Sequence, residues 1–348
     1  MKLALLLDSA RSYGGQPMAS SRLLNLLSPE VDLTPFWLEP AAKKPRIEKQ
    51  GSGFRLFPPE ANCFSWLAGH LGDYDGFHLH GVAGWARYAA ALGRPFIASF
   101  RGSDLNLGVY RQPAALRSTI QAATVCTFMN PVQQQLASRL FGPVPNPSVV
   151  PNSRPWVEVE PANLNLPRPI LCCVNEFRRL TGLDFLLEAF RKLDRGTLLL
   201  VGPLHPAEAP YYTRLLEPLP RVHRTGAVAP ERVLQLLKAS DVAVFPSVSE
   251  GMPNKVLEAI SVGVPVVASD VPGMSYLIED GRHGRLFPSR SVEGLYRVLL
   301  EVLQADDGQK QGWTDEARRK LLEQHLPEAE KGRWLECYRR LDEPPIGV

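Results

Sequence analysis

The chain has 348 residues, of which 45% are hydrophobic and 22% are charged, and its formal net charge is +3. This length exceeds what one hydrophobic core normally organises, so two domains of about 150 to 170 residues are expected. No apolar run approaches the ~20 residues of a membrane-spanning helix, and the five cysteines show no metal-ligand spacing. These features exclude a membrane-spanning protein and indicate a cytoplasmic one with reduced thiols.

Alternating strands and helices are predicted in the first half of the chain. Short apolar runs predict the strands, and apolar residues at helical spacing predict the helices between them. The predicted strands are 3–7, 77–80, 96–100, 124–128 and 148–150, and the predicted helices are 18–27, 84–92 and 132–140. Such alternation is typical of a doubly wound parallel sheet, so residues 1–160 are predicted to form a Rossmann-like α/β domain.

The stretch 43–55 (KKPRIEKQGSGFR) is basic, and aromatic residues follow it at Phe57, Phe64 and Trp66. Two interpretations are open. The favoured one is a solvated loop over a small apolar cluster, and the other is a loop that contacts anionic lipid or a phosphorylated molecule. The chain contains no nucleic-acid-binding motif, so nucleic acid is not an expected partner.

Residues 152–169 are rich in proline and lack helical spacing, which predicts a linker between domains. A second α/β domain is predicted over 168–325. Its expected strands are 170–174, 197–201, 241–245 and 264–268, with a helix at 184–193.

Two glutamates stand close together after the strand 241–245. Glu250 falls in the loop, and Glu258 falls on the next helix, which is predicted to begin at Pro253 and to end before Gly263. In open α/β sheets, ligands bind where loops leave the carboxyl ends of strands, and helix N-termini there present free N–H groups to anions. A phosphate can therefore bind at this helix start without a metal. The Glu258 carboxylate can accept both hydrogens of a vicinal diol such as a ribose.

The segment 241–288 resembles the E-x7-E signature of retaining, nucleotide-sugar-dependent glycosyltransferases of family four, which have the GT-B fold. The resemblance implies two Rossmann-like, doubly wound parallel-sheet domains that face a deep interdomain cleft. It implies that 1–160 bind the acceptor, that 168–325 bind the nucleotide sugar, and that a C-terminal helix in 326–348 crosses back to the first domain.

The same resemblance implies how the donor is held. Glu250 is expected to contact hydroxyls of the donor sugar, and Glu258 is expected to hold the ribose of the nucleotide. The residues between them whose backbone is expected to face sugar and phosphate are Gly251, Met252, Pro253 and Asn254.

The resemblance also implies where cations grip the donor diphosphate. The common family pattern G-R-x4-K-G falls on 174–182 (VNEFRRLTG), where Glu176 and Thr181 replace the arginine and the lysine. A variant pattern, G-E-x-R-x-x-K-G, matches Glu176 and Arg178 and leaves the lysine absent. Arg178 is therefore the expected phosphate cation, with Arg179 in reserve. Each missing charged contact is expected to weaken binding by about 1 to 3 kcal/mol.

In the first domain, the family uses a glycine pair after the opening strand to face donor phosphate and acceptor, which points to Gly14 and Gly15. An ordinary turn is the alternative. Arg101 stands where many members have a histidine that contacts the transferred sugar, and an arginine there can neutralise a diphosphate. Asp104 can orient Arg101 or bind an acceptor hydroxyl. His80 is a further acceptor-side candidate, although strand-end histidines satisfied by their neighbours are the simpler interpretation of both His78 and His80.

The resemblance thus implies an enzyme, a hexosyltransferase that moves a sugar from a UDP- or GDP-sugar to a polysaccharide, a lipid-linked glycan or a small molecule. Its expected catalytic residues are Glu250, Arg101 and Arg178. Neither a metal nor a cofactor other than the co-substrate is expected. The expected location is the cytoplasm, with peripheral contact at the inner face of the membrane as an option.

Two other interpretations stay open. A non-catalytic relative that binds a glycan or nucleotide as a scaffold is motivated by the absent lysine, and a sugar-nucleotide epimerase shares the same fold. A nicotinamide-dependent dehydrogenase is disfavoured, because no G-x-G-x-x-G spacing follows the first strand.

Overall fold

A computed structural model of the chain divides into two compact units. The N-terminal unit is residues 1–151 together with the C-terminal segment that begins at Glu328, and the C-terminal unit is Asn152–Pro327. The structure describes residues 1–8, 15–27, 30–82, 85–86, 93–106, 108–217 and 219–341.

An eight-stranded sheet forms the centre of the N-terminal unit. Its strands are β1 (Lys2–Asp8), β2 (Asp32–Leu38), β3 (Arg46–Gln50), β4 (Gly53–Phe57), β5 (Gly76–His80), β6 (Phe96–Phe100), β7 (Val125–Phe128) and β8 (Pro147–Val149). Their order is β3-β4-β2-β1-β5-β6-β7-β8, and only the β3–β4 pair is antiparallel among the described neighbours. The five predicted strands are confirmed as β1, β5, β6, β7 and β8. Because β1 pairs with both β2 and β5, the strand order reverses at β1.

Helices connect these strands. They are α1 (Gly15–Leu27), α2 (Cys63–Leu71), α3 (Ser103–Asn106), α4 (Gly108–Arg111), α5 (Pro113–Ala122) and α6 (Pro131–Phe141). The predicted helices 18–27 and 132–140 are confirmed within α1 and α6, whereas most of the predicted helix 84–92 lies outside the described residues. Asn130 caps α6 by accepting a hydrogen bond from the Gln133 amide at 2.9 Å, as its place before a proline predicts.

The loop conformation expected over 43–55 is wrong, because β3 and β4 form a hairpin there that turns at Gly51. The expected small apolar cluster is confirmed, because Leu56 is buried in the core and Phe64 and Trp66 pack against it. The guanidinium groups of Arg46 and Arg55 lie 3.8 and 5.0 Å from the centre of the Phe57 ring. Arg55 also pairs with Glu39 at 3.0 Å. Charged side chains with long aliphatic stems therefore cover an aromatic ring and are neutralised locally, which a basic sequence does not reveal.

A six-stranded, all-parallel sheet forms the centre of the C-terminal unit. Its strands are β9 (Ile170–Val174), β10 (Thr197–Val201), β11 (Val222–Gly226), β12 (Val242–Phe245), β13 (Val266–Asp270) and β14 (Arg285–Pro288). Their order is β11-β10-β9-β12-β13-β14, which is the order 3-2-1-4-5-6 of dinucleotide-binding sheets. The order reverses between β9 and β12, and ligands of such sheets bind at the carboxyl ends of the strands at that switch point.

The remaining helices follow in chain order. They are α7 (Leu183–Arg191), α8 (Ala209–Leu216), α9 (Pro230–Lys238), α10 (Asn254–Ser261), α11 (Pro272–Leu277), α12 (Val292–Gln304), α13 (Asp307–Gln324) and α14 (Pro327–Arg339). The last of them, α14, packs on one face of the N-terminal sheet, where Trp334 and Tyr338 join a buried cluster with Leu3, Leu5 and Leu7 of β1. No described helix combines the length and the apolarity needed to cross a membrane.

The segment 152–167 contains neither helix nor strand, as its prolines predict. Its backbone bonds to the C-terminal unit at three places. The amides of Arg154, Val157 and Ala162 donate to the carbonyls of His325, Ser261 and Gln235 at 2.7, 3.0 and 3.0 Å. This irregular segment is therefore part of the C-terminal unit.

Candidate functional site

Two loops meet at the switch point of the C-terminal sheet, one after β9 and the other after β12. Gly182 ends the first loop with a φ of +69°, and a Cβ atom there would lie 1.9 Å from the Pro246 carbonyl oxygen of the second. On the other side, a Cβ on Gly273 of α11 would lie 2.6 Å from the Glu250 carbonyl oxygen. Only glycine allows either approach, so the loop that carries Glu250 is held between its two neighbours.

Helix α10 begins at Asn254, with Pro253 as its extended N-cap residue, so the predicted start at Pro253 is wrong by one residue. The first amides of a helix lack acceptors within the helix and carry its positive dipole end. The N-cap residue Pro253 makes no side-chain hydrogen bond to them, and the Val256 amide donates to the Pro253 carbonyl at 3.1 Å. Residues Gly251 to Pro253 are buried, and the Asn254 side chain accepts a hydrogen bond from the Asn152 amide group at 2.7 Å.

Glu250 forms an ion pair with Lys255, whose Nζ lies 2.6 Å from Glu250 Oε1. Nζ also donates to Ser247 Oγ at 3.3 Å. The Glu250 and Lys255 side chains are 22% and 14% exposed, so the pair is largely enclosed yet still reaches solvent. Lys255 was missed by the sequence analysis. The available signal was a lysine in the first turn of a helix, where the dipole disfavours a cation unless an anion accompanies it.

Glu258 pairs with a different cation, because Arg154 Nη1 lies 3.3 Å from Glu258 Oε1. Burial raises the pKa of Glu258, and the charges of Arg154 and Lys255 oppose that rise. Both glutamates of the signature are thus in the field of the Lys255 ammonium. Arg154 comes from the irregular segment, and no local pattern in the sequence marks it.

The loop after β9 shows what Thr181 does in place of a lysine. Thr181 is buried, its hydroxyl donates to the Arg178 carbonyl at 2.6 Å, and it accepts from the Arg178 amide at 3.2 Å. The Arg178 side chain is exposed, and no carboxylate in the described part of the chain pairs with it. The Arg179 guanidinium lies 5.3 Å from the centre of the Tyr211 ring, and its amide donates to Glu208. Thr181 therefore closes a turn, Arg178 is available for a ligand, and Arg179 is engaged elsewhere.

In the N-terminal unit, the corresponding switch point lies between β1 and β5. Gly14 lies outside the described residues, and Gly15 is the first residue of α1. His80 ends β5 and is buried, and neither of its ring nitrogens has a hydrogen-bond partner among the residues described. The interpretation of His80 as a satisfied histidine is therefore wrong. That description fits His78 instead, which bonds Tyr338 and Ser99 at 2.6 and 2.7 Å.

Arg101 follows β6 and lies in a dense set of charges. Burial lowers the pKa of Arg101 to about 10; Glu330 and Asp104 raise it, and Arg22 lowers it further. The Asp104 carboxylate accepts from the backbone amides of Arg101, Gly102 and Leu105 at 2.8, 2.8 and 3.0 Å. Asp104 thus holds the backbone of Arg101 in place.

Glu330 of α14 was also missed by the sequence analysis. It is 2% exposed and pairs with Arg22 of α1 at 3.1 Å, and the Trp334 indole donates to it at 3.3 Å. A buried carboxylate with these partners fixes α14 to the charged end of the N-terminal sheet. One glutamate among the many charges of the terminal helix carries no mark of this role in sequence.

Comparison with known proteins identifies the C-terminal unit more closely than the N-terminal one. Residues 168–305 match the family model described as Glycosyl transferases group 1. A putative teichuronic acid biosynthesis glycosyltransferase of Bacillus subtilis, TuaC, is 28% identical over 220 residues, which are 59% of this chain and 54% of that protein. The chain therefore matches about half of the length of this curated relative.

Two solved structures resemble the chain over nearly its full length. Sucrose-phosphate synthase from Thermosynechococcus elongatus is 20% identical, with a TM-score of 0.82 over 98% of this chain and 99% of that chain. Anabaena HepE, solved with UDP and glucose, is 17% identical, with a TM-score of 0.77 over 97% and 99%. These likenesses confirm the predicted fold class of two Rossmann-like domains. The chain has the GT-B fold, and its residues 168–305 match the model of the glycosyl transferases group 1 family.

Proposed function

We propose that this protein is a retaining glycosyltransferase that moves a sugar from a nucleoside-diphosphate donor to a glycan acceptor. One observation supports the proposal most. Glu250 forms an ion pair with the Lys255 ammonium, and the charge of the same ammonium lowers the pKa of Glu258 against the effect of burial. These groups follow β12, at the switch point of a sheet in the strand order 3-2-1-4-5-6. This is the position at which sheets of that order bind nucleotides.

The proposed donor site uses complementary groups for the parts of a nucleotide sugar. The Glu258 carboxylate accepts hydrogen bonds from the two ribose hydroxyls, and the Glu250 carboxylate accepts hydrogen bonds from hydroxyls of the sugar. The backbone from Gly251 to Asn254 faces sugar and phosphate, and the amides at the start of α10 bind the diphosphate, where the helix dipole favours negative charge. Arg178, which is exposed and unpaired with any described carboxylate, is the proposed phosphate cation.

Catalysis is proposed to rest on positioning and on stabilisation of the leaving diphosphate. The departing phosphate oxygen accepts the proton of the acceptor hydroxyl, which attacks the anomeric carbon from the same face of the sugar. No protein general base is then needed. Such catalysis needs a site that is partly closed to water. The raised pKa of Glu258 agrees with this, because desolvation is its main cause.

The N-terminal unit is proposed to bind the acceptor at the carboxyl ends of β5 and β6, where His80 and Arg101 lie. Gly14 and Asp104 complete the proposed acceptor-side residues, and Gly15 is proposed to bind the donor. TuaC is named for teichuronic acid biosynthesis, which supports a polysaccharide or lipid-linked glycan as acceptor. The UDP of HepE supports a UDP-sugar as the first donor to test. A cytoplasmic location, with contact at the inner face of the membrane, is part of this proposal.

A screen of UDP- and GDP-sugars by thermal shift tests the proposal, because a donor that binds the native state raises its melting temperature whatever the acceptor. At least one nucleotide sugar is expected to stabilise the protein, and the gain should be smaller in Glu258→Ala. A donor that binds should also be hydrolysed slowly or transferred to a glycan acceptor. If no nucleotide sugar shifts the melting temperature, the proposal is wrong.

The second candidate is a non-catalytic binding protein, and the buried Thr181 is the observation that favours it. A hydroxyl that closes a turn cannot replace a lysine as a phosphate cation. This candidate predicts that a nucleotide sugar binds without being hydrolysed or transferred under any condition.

A further inference from the structure

The family pattern places a lysine at position 181, and this chain has a threonine there whose hydroxyl is used by the backbone of its own turn. We infer that Lys255 supplies the missing cation and binds the diphosphate of the donor from the opposite side of the switch point. This inference rests on the proposed function, because it assigns a further binding residue to the same donor site.

The location of the Lys255 ammonium carries the inference. It donates to Ser247, which follows β12, and to Glu250 in the same loop. Burial raises the pKa of the Cys173 thiol to about 12, and the Lys255 ammonium opposes that rise. Cys173 belongs to β9, so the ammonium that bonds the loop after β12 also acts on a residue of β9. A lysine at position 181 would start from the loop that follows β9, on the other side of the same point.

A count of donors leaves room for a ligand. A lysine ammonium has three N–H groups. One is used by Glu250 at 2.6 Å and one by Ser247 at 3.3 Å, and no third acceptor lies within hydrogen-bond distance among the residues described. The Lys255 side chain is 14% exposed, so the third N–H group is within reach of a phosphate oxygen.

The arrangement also couples two parts of the donor. Glu250 keeps its second carboxylate oxygen for sugar hydroxyls while Lys255 holds the first. A phosphate on the ammonium and a sugar on the carboxylate would then be fixed relative to each other by one ion pair. Lys255 is therefore a diphosphate-binding residue that also positions Glu250.

Binding of UDP and of uridine to the full chain, measured by calorimetry, tests this assignment, with GDP and guanosine as the second pair. Lys255→Met is expected to weaken binding of the diphosphate by ~10- to 100-fold, as for a lost charged hydrogen bond, and to leave nucleoside binding unchanged. Lys255→Arg keeps the charge and should retain most of the diphosphate affinity. The control is Lys238→Met, which removes an exposed lysine of the same unit that donates to the Val262 carbonyl, and it should bind as the wild type does.

A double variant separates phosphate binding from simple neutralisation of Glu250. If Lys255 acts only by neutralising that carboxylate, Lys255→Met with Glu250→Gln should recover wild-type affinity for the diphosphate, and the inference is overturned. If Lys255 binds phosphate, the double variant stays as weak as Lys255→Met. Equal melting temperatures of the variants without ligand verify that each is folded. Failure of the wild type to bind any nucleoside diphosphate is a different result, because it removes the proposed function itself.

Discussion

Arg154 Nη1 lies 3.3 Å from Oε1 of Glu258, so one glutamate of the signature is held by a residue from the irregular segment 152–167. The Arg154 amide is itself fixed by the His325 carbonyl at 2.7 Å. Because Arg154 is on one oxygen, the other oxygen of Glu258 is the proposed acceptor for a ligand. Position and charge of this carboxylate thus depend on a segment that looks like a simple linker in sequence.

Glu258→Ala should weaken binding of the nucleoside as much as binding of the whole donor, because the proposed contact of Glu258 is to the ribose. The expected loss is ~10-fold in affinity. Calorimetry with uridine, UDP and a UDP-sugar measures it, and Glu323→Ala, which changes an exposed glutamate of α13, is the control. A loss confined to the intact sugar donor would contradict the assignment to the ribose.

Glu250→Ala should behave differently, because the proposed contact is to the transferred sugar. Turnover is expected to fall roughly 100-fold while affinity for UDP changes little. Initial rates of donor hydrolysis and of transfer, compared with UDP binding, separate the two effects. Equal and small effects of the two glutamate variants on both quantities would count against both roles.

Thr181→Val should lower the free energy of unfolding by about 1 kcal/mol, because it removes the hydroxyl that closes the turn at Arg178. Diphosphate affinity should change little, because Thr181 offers no charge. Urea denaturation measures the first effect. The control is Thr225→Val, whose hydroxyl is exposed and bonds only the adjacent Gly226 carbonyl. A large loss of diphosphate affinity with full stability would show that the hydroxyl binds ligand.

His78 should make the protein less stable in acid. Burial lowers the pKa of His78 from 6.5 to about 3, with a smaller contribution from Arg101. The pKa of His78 is lower in the folded protein than in the unfolded chain. The folded state therefore has its full stability, as far as His78 is concerned, above pH 6.5, and it loses stability as the pH falls toward about 3. Melting temperatures at pH 7.5 and 5.5 should therefore differ less in His78→Gln than in the wild type. His223→Gln, at an exposed position, should keep the wild-type difference, and an unchanged slope in His78→Gln would contradict the account.

The parts of the fold that were predictable are those whose residues act locally. The apolar run 96–100 is a strand because buried parallel strands are apolar on both faces, and Asn130 before Pro131 begins a helix for reasons contained in those two residues. The hairpin at 46–57 escaped prediction, because Arg46 and Arg55 lie over the Phe57 ring and Arg55 pairs with Glu39, contacts that only the fold creates.

The residues of the candidate site also divide into those that can be predicted from the local sequence and those that cannot. Glu250 and Glu258 could be found from their spacing and from the strand and helix around them. Arg154 and Glu330 could not, since their partners Glu258 and Arg22 are far away in sequence. Lys255 carried one local signal, its place in the first turn of a helix. Thr181 was recognised as a departure from the family pattern, but its use as a turn-closing hydroxyl required the coordinates of the Arg178 backbone.

A crystal structure of the full chain with the nucleoside diphosphate that binds best is the most direct test of the account. It is expected to show the ribose on Glu258, and the diphosphate against the first amides of α10 within hydrogen-bond distance of Lys255. A nucleotide bound elsewhere, or one with its ribose turned away from Glu258 and its phosphates away from α10, would contradict the central claim that this switch point is the donor site.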